Sequence, residues 1–221
     1  MNVDPGTTYL NLWKQHLGDV PDYVCALGHL ETLILADNDL TSVPDAIGAL
    51  TRLRTLDLGH NALAELPESI GSLVDLSDFL YLHDNQLSSL PSSISNLKRL
   101  RYLNLSNNRF SAMPRSVCAM SGLIELRMTD NAISALPDEM GRLTNLRELH
   151  LRNNRLVTLP ESIGAMQSLR QLDLRGNPLT SLPTTLFALP RLEKLDLRWV
   201  TSLSMHEELS QLEERGCIVY R

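Results

Sequence analysis

Aromatic residues are scarce in this chain: Phe, Tyr and Trp together make up 5% of 221 residues. Aliphatic side chains must therefore supply a core drawn from a 43% apolar complement, which favours a repeat protein over a compact fold built around large rings. Cysteine is also rare. Cys25, Cys118 and Cys217 are odd in number and form no CxxC pair, so they read as reduced thiols of a cytoplasmic protein. Basic runs are missing, the formal charge is −6 and the pI is near 5.5. No nucleic-acid partner is expected, because sequence-independent binding needs a concentrated Lys/Arg footprint. No apolar run approaches the roughly 18 residues of a membrane span, and Met1–Gly6 lacks a charged segment leading into an apolar one. A type III secretion signal has no such signature, so export as an effector stays open. Neither a Gly-rich phosphate loop, nor HExxH, nor G-x-S-x-G occurs, and neither enzymatic activity nor a cofactor is expected.

What the chain does contain is a stride. Asparagine recurs at Asn38, Asn61, Asn85, Asn108, Asn131, Asn154 and Asn177, at spacings of 23, 24, 23, 23, 23 and 23. Leucine or a substitute stands five and three residues before each, as in Leu33/Leu35, Leu56/Leu58, Leu80/Leu82 and Leu126/Met128. Another apolar residue follows two later (Leu40, Leu63, Leu87, Phe110), and then an apolar-Pro pair such as Val43-Pro44 or Leu66-Pro67. Two degenerate repeats extend the frame. Leu10, Leu12, Leu17 and Val20-Pro21 fit with Gln15 at the asparagine site, and Leu192, Leu195 and Leu197 fit with Val200 there. About nine coils result, the terminal two atypical.

Each fixed position has a physical reason. An L-x-L segment has period two, so its leucines share one face of a short strand and the x residues the other. Each buried leucine contributes about 1.5–3 kcal/mol. Asparagine suits the inward turn because its amide both donates and accepts, satisfying backbone groups that otherwise cost about 1–3 kcal/mol each when buried. Proline fixes φ and opens the return segment, often one 3₁₀ or α turn.

Two stretches depart from the stride. Ser204-x-x-Glu207 reads as a capping box, with Met205, Leu209 and Leu212 forming one apolar stripe of a helix and Gly216 suited to its C′ position. Cys217–Tyr220 then reads as a last strand, so that a helix-strand unit covers the end of the array and its sheet edge. Coil three carries one extra residue within Val74–Phe79, most simply a bulge before the strand, where it would re-aim Phe79 and Tyr81. Residues 1–221 are expected to form one domain, with a degenerate repeat at 7–29, regular repeats at 30–191, and a last repeat plus cap at 192–221. The cap argues against truncation, and no catalytic domain is expected after residue 221.

The run Leu53-Arg-Thr-Leu56-Asp-Leu58-Gly-His-Asn61-Ala-Leu63-Ala-Glu-Leu66-Pro67-Glu-Ser-Ile70-Gly71-Ser-Leu73 resembles the Ras-group leucine-rich repeats of plant intracellular proteins, Scribble-type scaffolds and bacterial repeat proteins. The resemblance covers roughly residues 7–203. It implies a right-handed α/β solenoid, with a parallel β-sheet on its concave face and short 3₁₀ or α turns on its convex face. It also implies protein recognition without naming a partner. The expected function is that of a monomeric, non-catalytic protein-interaction module or scaffold in signalling. The alternative is a substrate-recognition arm or secreted effector related to leucine-rich-repeat ubiquitin ligases but lacking their catalytic domain.

On that fold the x residues line the concave face. Phe79, Tyr81 and Tyr102 fall on adjacent coils with His83 beside them, a combination typical of binding anchors, although neighbouring rings can also simply cover each other. Arg152, Arg175 and Arg198 form a column interleaved with Glu148, Asp173 and Asp196. It could read an acidic segment, but five basic residues against five acidic ones favour a self-neutralising ladder of cross-strand ion pairs. Arg127, His150 and Trp199 complete the expected partner-binding set. His60 and His83, with Asp37, Asp57 and Asp84 nearby, lack a fixed tetrahedral arrangement in the sequence, and no metal site is expected. Cys25 and Cys118 take the position that Gly48, Gly71, Gly141 and Gly164 hold elsewhere, and read as packing residues.

Overall fold

The computed structural model describes residues 4–203 and 206–221. Leucines at every second position, followed by a tight turn, leave room for only a three-residue strand per coil. Ten such strands follow in chain order: Tyr9–Asn11 (β1), Thr32–Ile34 (β2), Thr55–Asp57 (β3), Phe79–Tyr81 (β4), Tyr102–Asn104 (β5), Glu125–Arg127 (β6), Glu148–His150 (β7), Gln171–Asp173 (β8), Lys194–Asp196 (β9) and Ile218–Tyr220 (β10). All pair in parallel with their sequence neighbours in one open sheet. The central leucines stack in register, with Leu33 opposite Leu56, Leu56 opposite Leu80 and so on to Leu172 opposite Leu195, and all are buried. This is a leucine-rich-repeat solenoid with the sheet on its concave side.

Proline opens the return segments. Pro44, Pro67, Pro91, Pro137 and Pro160 each sit in extended backbone just before a five-residue 3₁₀ turn, where a missing N–H breaks no bond. Short α-turns replace the 3₁₀ turn at Asp22–Cys25 (α1) and Thr184–Phe187 (α2). The turns stack tightly. A Cβ at Gly71 would stand 2.4 Å from the Ser93 carbonyl oxygen of the next coil. No helix of the described residues is long and apolar enough to cross a membrane.

The asparagines join coils in both directions. Asn154 Nδ2 donates to Met128 O (2.9 Å) of the preceding coil and to Leu151 O (2.9 Å) and Arg152 O (3.3 Å) of its own, while Oδ1 accepts from Ile133 N–H (3.0 Å). Asn38, Asn61, Asn85, Asn108, Asn131 and Asn177 bond in the same manner, and Gln15 N–H donates to Asn38 Oδ1 (2.8 Å). The residue before each of these sites turns the chain through left-handed backbone: Asp37, His60, Asp84, Asn107, Asp130, Asn153 and Gly176 all have φ between 52° and 67°. Asn, Asp and Gly tolerate this region best. The two degenerate coils place Lys14 (φ 53°) and Trp199 (φ 64°) there instead.

The extra residue of coil three sits just before β4. In other coils one carbonyl receives two amides, as Arg101 O does from Ile124 and Glu125. Here the duty is split: Arg101 N–H bonds Ser77 O (3.1 Å) and Tyr102 N–H bonds Asp78 O (3.2 Å). Register is already regained at Phe79, which pairs with Thr55 and Tyr102, and Leu80 follows opposite Leu56 and Leu103.

At the C-terminal end Leu209 and Leu212 of the helix His206–Glu214 (α3) are buried, Gly216 turns the chain at φ 90°, and Arg215 donates to the Phe187 and Leu189 carbonyls of the preceding turn. Ser204 and Met205, the expected first capping residue and first stripe residue, lie outside the described residues. β10 covers the edge of β9 by continuing the sheet in parallel, so the open edge moves outward one strand instead of ending.

Asn154→Ala removes four hydrogen bonds from a buried side chain, whereas Asn145→Ala removes one exposed bond to Ser121 O. The first is expected to cost about 2–4 kcal/mol, or roughly 5–10 °C in melting temperature, and the second under about 0.5 kcal/mol. Equal melting temperatures for the two variants would remove the amide bonds from the account of coil stacking.

Candidate functional site

Side chains from the x positions of the strands, and from the two residues after them, project from the concave face in columns one coil apart. Their identities divide the face into an aromatic half and a charged half.

In the aromatic half Phe79 and Tyr81 leave the same face of β4 and stack at 5.7 Å, while Tyr102 of β5 meets them at 5.5 and 5.2 Å. His83 packs edge-on against Tyr81 at 5.9 Å and against His60 at 4.8 Å. Arg127 lies over the Tyr102 ring at 5.9 Å. Burial pushes the Tyr81 and Tyr102 phenols upward, so both stay neutral. Mutual covering is only partial: Phe79 remains 42% exposed and borders a hollow of about 330 Å³ with Tyr102, Ile124 and Arg101. A Cβ at Gly59 would stand 2.5 Å from the His83 ring, so this glycine gives the imidazole its seat.

The charged half holds a cleft of about 300 Å³ lined by Arg127, His150, Arg152, Asp173, Arg175 and Arg198 among others. Its arginines are already engaged. Arg175 forks onto Asp173 (2.8 and 2.6 Å) and Arg198 onto Asp196 (3.0 and 2.8 Å). Both pairs lie within one coil, two residues apart on the same strand face, and not across strands as the spacing alone suggested. Contacts between coils are fewer: Arg152 to Asp130 at 2.9 Å and Arg175 to Asp196 at 3.5 Å. Burial works to raise the Asp196 and Asp130 carboxyls, but hydrogen bonds from Arg198 in one case and from Asn153 and Arg152 in the other outweigh it, so both lie below the usual range. Glu148 turns to His150 (3.4 Å) instead of joining the arginine column.

The two halves meet at Arg127, which stacks on Tyr102 and bonds Glu125 at 2.5 Å. Trp199 lies apart from the aromatic cluster at the C-terminal end, 66% exposed, with Arg198 over its ring at 5.9 Å. A residue not anticipated joins it there. Tyr220 of β10 receives Lys194 and Arg198 over its ring at 5.4 and 5.2 Å. Its signal was the Ile-Val-Tyr alternation, which places Tyr220 on the face opposite Val219. Among the ionisable groups, His60, His83 and Asp84 converge, as do Glu125, Glu148 and His150; Asp37 and Asp57 belong to neither group. The three cysteines are buried free thiols whose pKa values burial raises, Cys118 to about 11, so they are poor nucleophiles.

Burial, with Arg127 adding to it, holds the His150 pKa below its ordinary value against the pull of Glu125 and Glu148. The unfolded chain therefore binds this proton more readily, and its contribution lowers stability as pH falls through 6.5 toward the folded value. Between pH 7.5 and 5.5, His150→Gln is expected to lose stability less steeply than wild type, by at most about 1.4 kcal/mol per pH unit. Chemical denaturation at each pH measures it, and parallel slopes would show that His150 does not titrate against folding.

Comparison with known proteins agrees with this geometry. No curated protein matched the chain. Among solved structures, the leucine-rich-repeat domain of the type III effector XopL superposes with a TM-score of 0.84 at 29% identity, over 98% of this chain and 77% of that one. A leucine-rich-repeat protein of Leptospira interrogans gives 0.72 at 27% identity over 98% of this chain. The ectodomain of the plant membrane receptor kinase GASSHO1/SCHENGEN3 from Arabidopsis thaliana, in complex with Casparian strip integrity factor 2, gives 0.73 at 33% identity over 92% of this chain. The chain spans 66% of the Leptospira protein and 25% of the receptor ectodomain. A family model described as leucine-rich repeat region matches residues 78–152 and 138–219, and a second described as leucine rich repeat matches 5–63. With its stacked leucines, parallel strands and matched models extending over more than half its length, the chain belongs to the leucine-rich-repeat family.

Proposed function

We propose that the protein is a non-catalytic recognition module of the cytoplasm that grips another protein on its concave face, with Phe79, Tyr81, His83 and Tyr102 as the central anchor. The observation that carries this reading is the ring cluster itself. Three large rings leave a sheet surface that has no second layer to cover it, and they flank a hollow sized for a side chain. Rigid aromatics give binding energy at low entropic cost, and such residues dominate measured interface energies. Arg127, His150, Arg152 and Arg175 form the polar flank. Their pairing with local carboxylates leaves them to set orientation and specificity more than affinity.

Trp199 supports the same reading by a different route. It holds left-handed backbone where the regular coils use Asp, Asn, His or Gly, and most of its ring faces water. Strain without compensating burial is characteristic of residues kept for contact with something else. Arg198 and Tyr220 extend this second patch. The receptor ectodomain in complex with Casparian strip integrity factor 2, of similar fold, supports a recognition role for such a solenoid. A second reading, action as a secreted effector, draws on the similarity to the XopL domain and calls for the same face to engage a target.

A displayed peptide library selected on the wild-type protein tests the proposal. Binders are expected to lose at least about 30-fold in affinity for Phe79→Ala/Tyr81→Ala/Tyr102→Ala. Binders that hold this variant as tightly as wild type would overturn the aromatic anchor. For Trp199→Asn, relief of backbone strain is expected to raise stability by about 0.5–1 kcal/mol, roughly 1–3 °C in melting temperature. A lower melting temperature would mean that the indole serves the fold.

A further inference from the structure

We infer that His60, His83 and Asp84 form a site for one divalent transition-metal ion of the zinc class at the edge of the aromatic cluster. The solenoid step brings them together. His60 and Asp84 hold the same repeat position in consecutive coils, both in left-handed backbone (φ 52° and 53°), and His83 precedes Asp84. His60 Nδ1 lies 3.5 Å from Asp84 Oδ2, His83 Nε2 lies 3.9 Å from the same oxygen, and all three ligand atoms fall within 4.8 Å of one another. Zinc binds imidazole nitrogen and carboxylate oxygen at about 2.0–2.2 Å, which sets its tetrahedral ligands roughly 3.4 Å apart. His60, whose side chain is 57% exposed, closes the remaining distance by rotation about its side-chain bonds.

Two further observations favour an ion over an ordinary solvated cluster. Asp37 and Asp130, the carboxylates at the same repeat position elsewhere, are held by Lys14 and Arg152. Asp84 meets no Lys or Arg among the described residues and faces two imidazoles instead. His83 is half-buried, with Nδ1 sealed and without a hydrogen-bond partner, so Nε2 beside Asp84 is its available nitrogen. The second convergent group is a poorer ligand set. It has one imidazole, His150, and Glu125 is already occupied by Arg127 at 2.5 Å. Nitrogen-rich ligation selects zinc-class ions over calcium and magnesium, which take oxygen ligands. With three protein ligands, at least one coordination position remains for water or a donor from a bound partner.

Titration of EDTA-stripped protein with Zn²⁺ by calorimetry tests the assignment, with Co²⁺ visible absorption reporting coordination. One saturable equivalent is expected for wild type and for Glu148→Gln, and Mg²⁺ is expected not to compete. His60→Asn and Asp84→Asn preserve residue types that tolerate left-handed backbone, and each is expected to weaken binding at least about 10-fold. Circular dichroism and melting of both variants confirm that they fold. Absence of saturable binding, or binding unchanged in both folded variants, would overturn the site while leaving recognition by the aromatic anchor untouched.

Discussion

A three-residue strand makes too few hydrogen bonds to hold its neighbour alone, so the whole architecture rests on the side-chain amide that follows each strand. Every asparagine of the stride bonds carbonyls of its own coil and of the coil before, and takes an amide from that same coil. The turn this requires forces the preceding residue into left-handed backbone, which explains why Asp, Asn, His and Gly recur there. Coil stacking then follows from leucine burial, and each coil depends chiefly on its two neighbours. The extra residue before β4 illustrates the consequence. It disturbs one shared carbonyl, and Asn85 still accepts from Leu63 N–H at 3.0 Å.

This lattice converts sequence spacing into surface geometry. Columns at fixed repeat positions run along the concave face, so a residue type at one position in consecutive coils becomes a contiguous patch. Aromatics at 79, 81 and 102 produce the ring cluster. Asp and Arg two residues apart produce closed ion pairs, and these neutralise the very charges that a simple count would offer to a partner. On the proposed reading, affinity therefore rests on the aromatic half, and the paired charges contribute orientation and specificity. Exposed ion pairs are worth little in water and are screened by salt, whereas partly desolvated rings retain their value.

The fold was legible because leucine and asparagine recur at positions whose roles are backbone-determined. Leu33, Leu56, Leu80 and their successors could be placed in one buried column from spacing alone. Side-chain pairing was less legible. Whether Arg175 reaches Asp173 in its own coil or a carboxylate in the next depends on rotamer and on sheet twist, neither of which spacing encodes. The same limit applied to His60, His83 and Asp84. The sequence placed five candidate ligands in one region, but only the coordinates select three and discard Asp37 and Asp57. Tyr220 was read as part of a cap, and its place on the concave face appears only once β10 is seen to run parallel to β9.

The separation of fold from surface also explains how a residue as unsuited to its backbone as Trp199 can persist. A left-handed conformation costs an ordinary L-residue about 1–2 kcal/mol. In a compact domain that cost would weaken one shared core. In a solenoid it falls on the last coil, where Leu195 and Leu197 remain buried against the preceding layer and α3 closes the end. The stacked leucines supply stability that is indifferent to the identity of the x residues, so those positions are free to be chosen for contact. A face built in this way can hold strained, aromatic or metal-ligating side chains side by side without altering the coil that presents them.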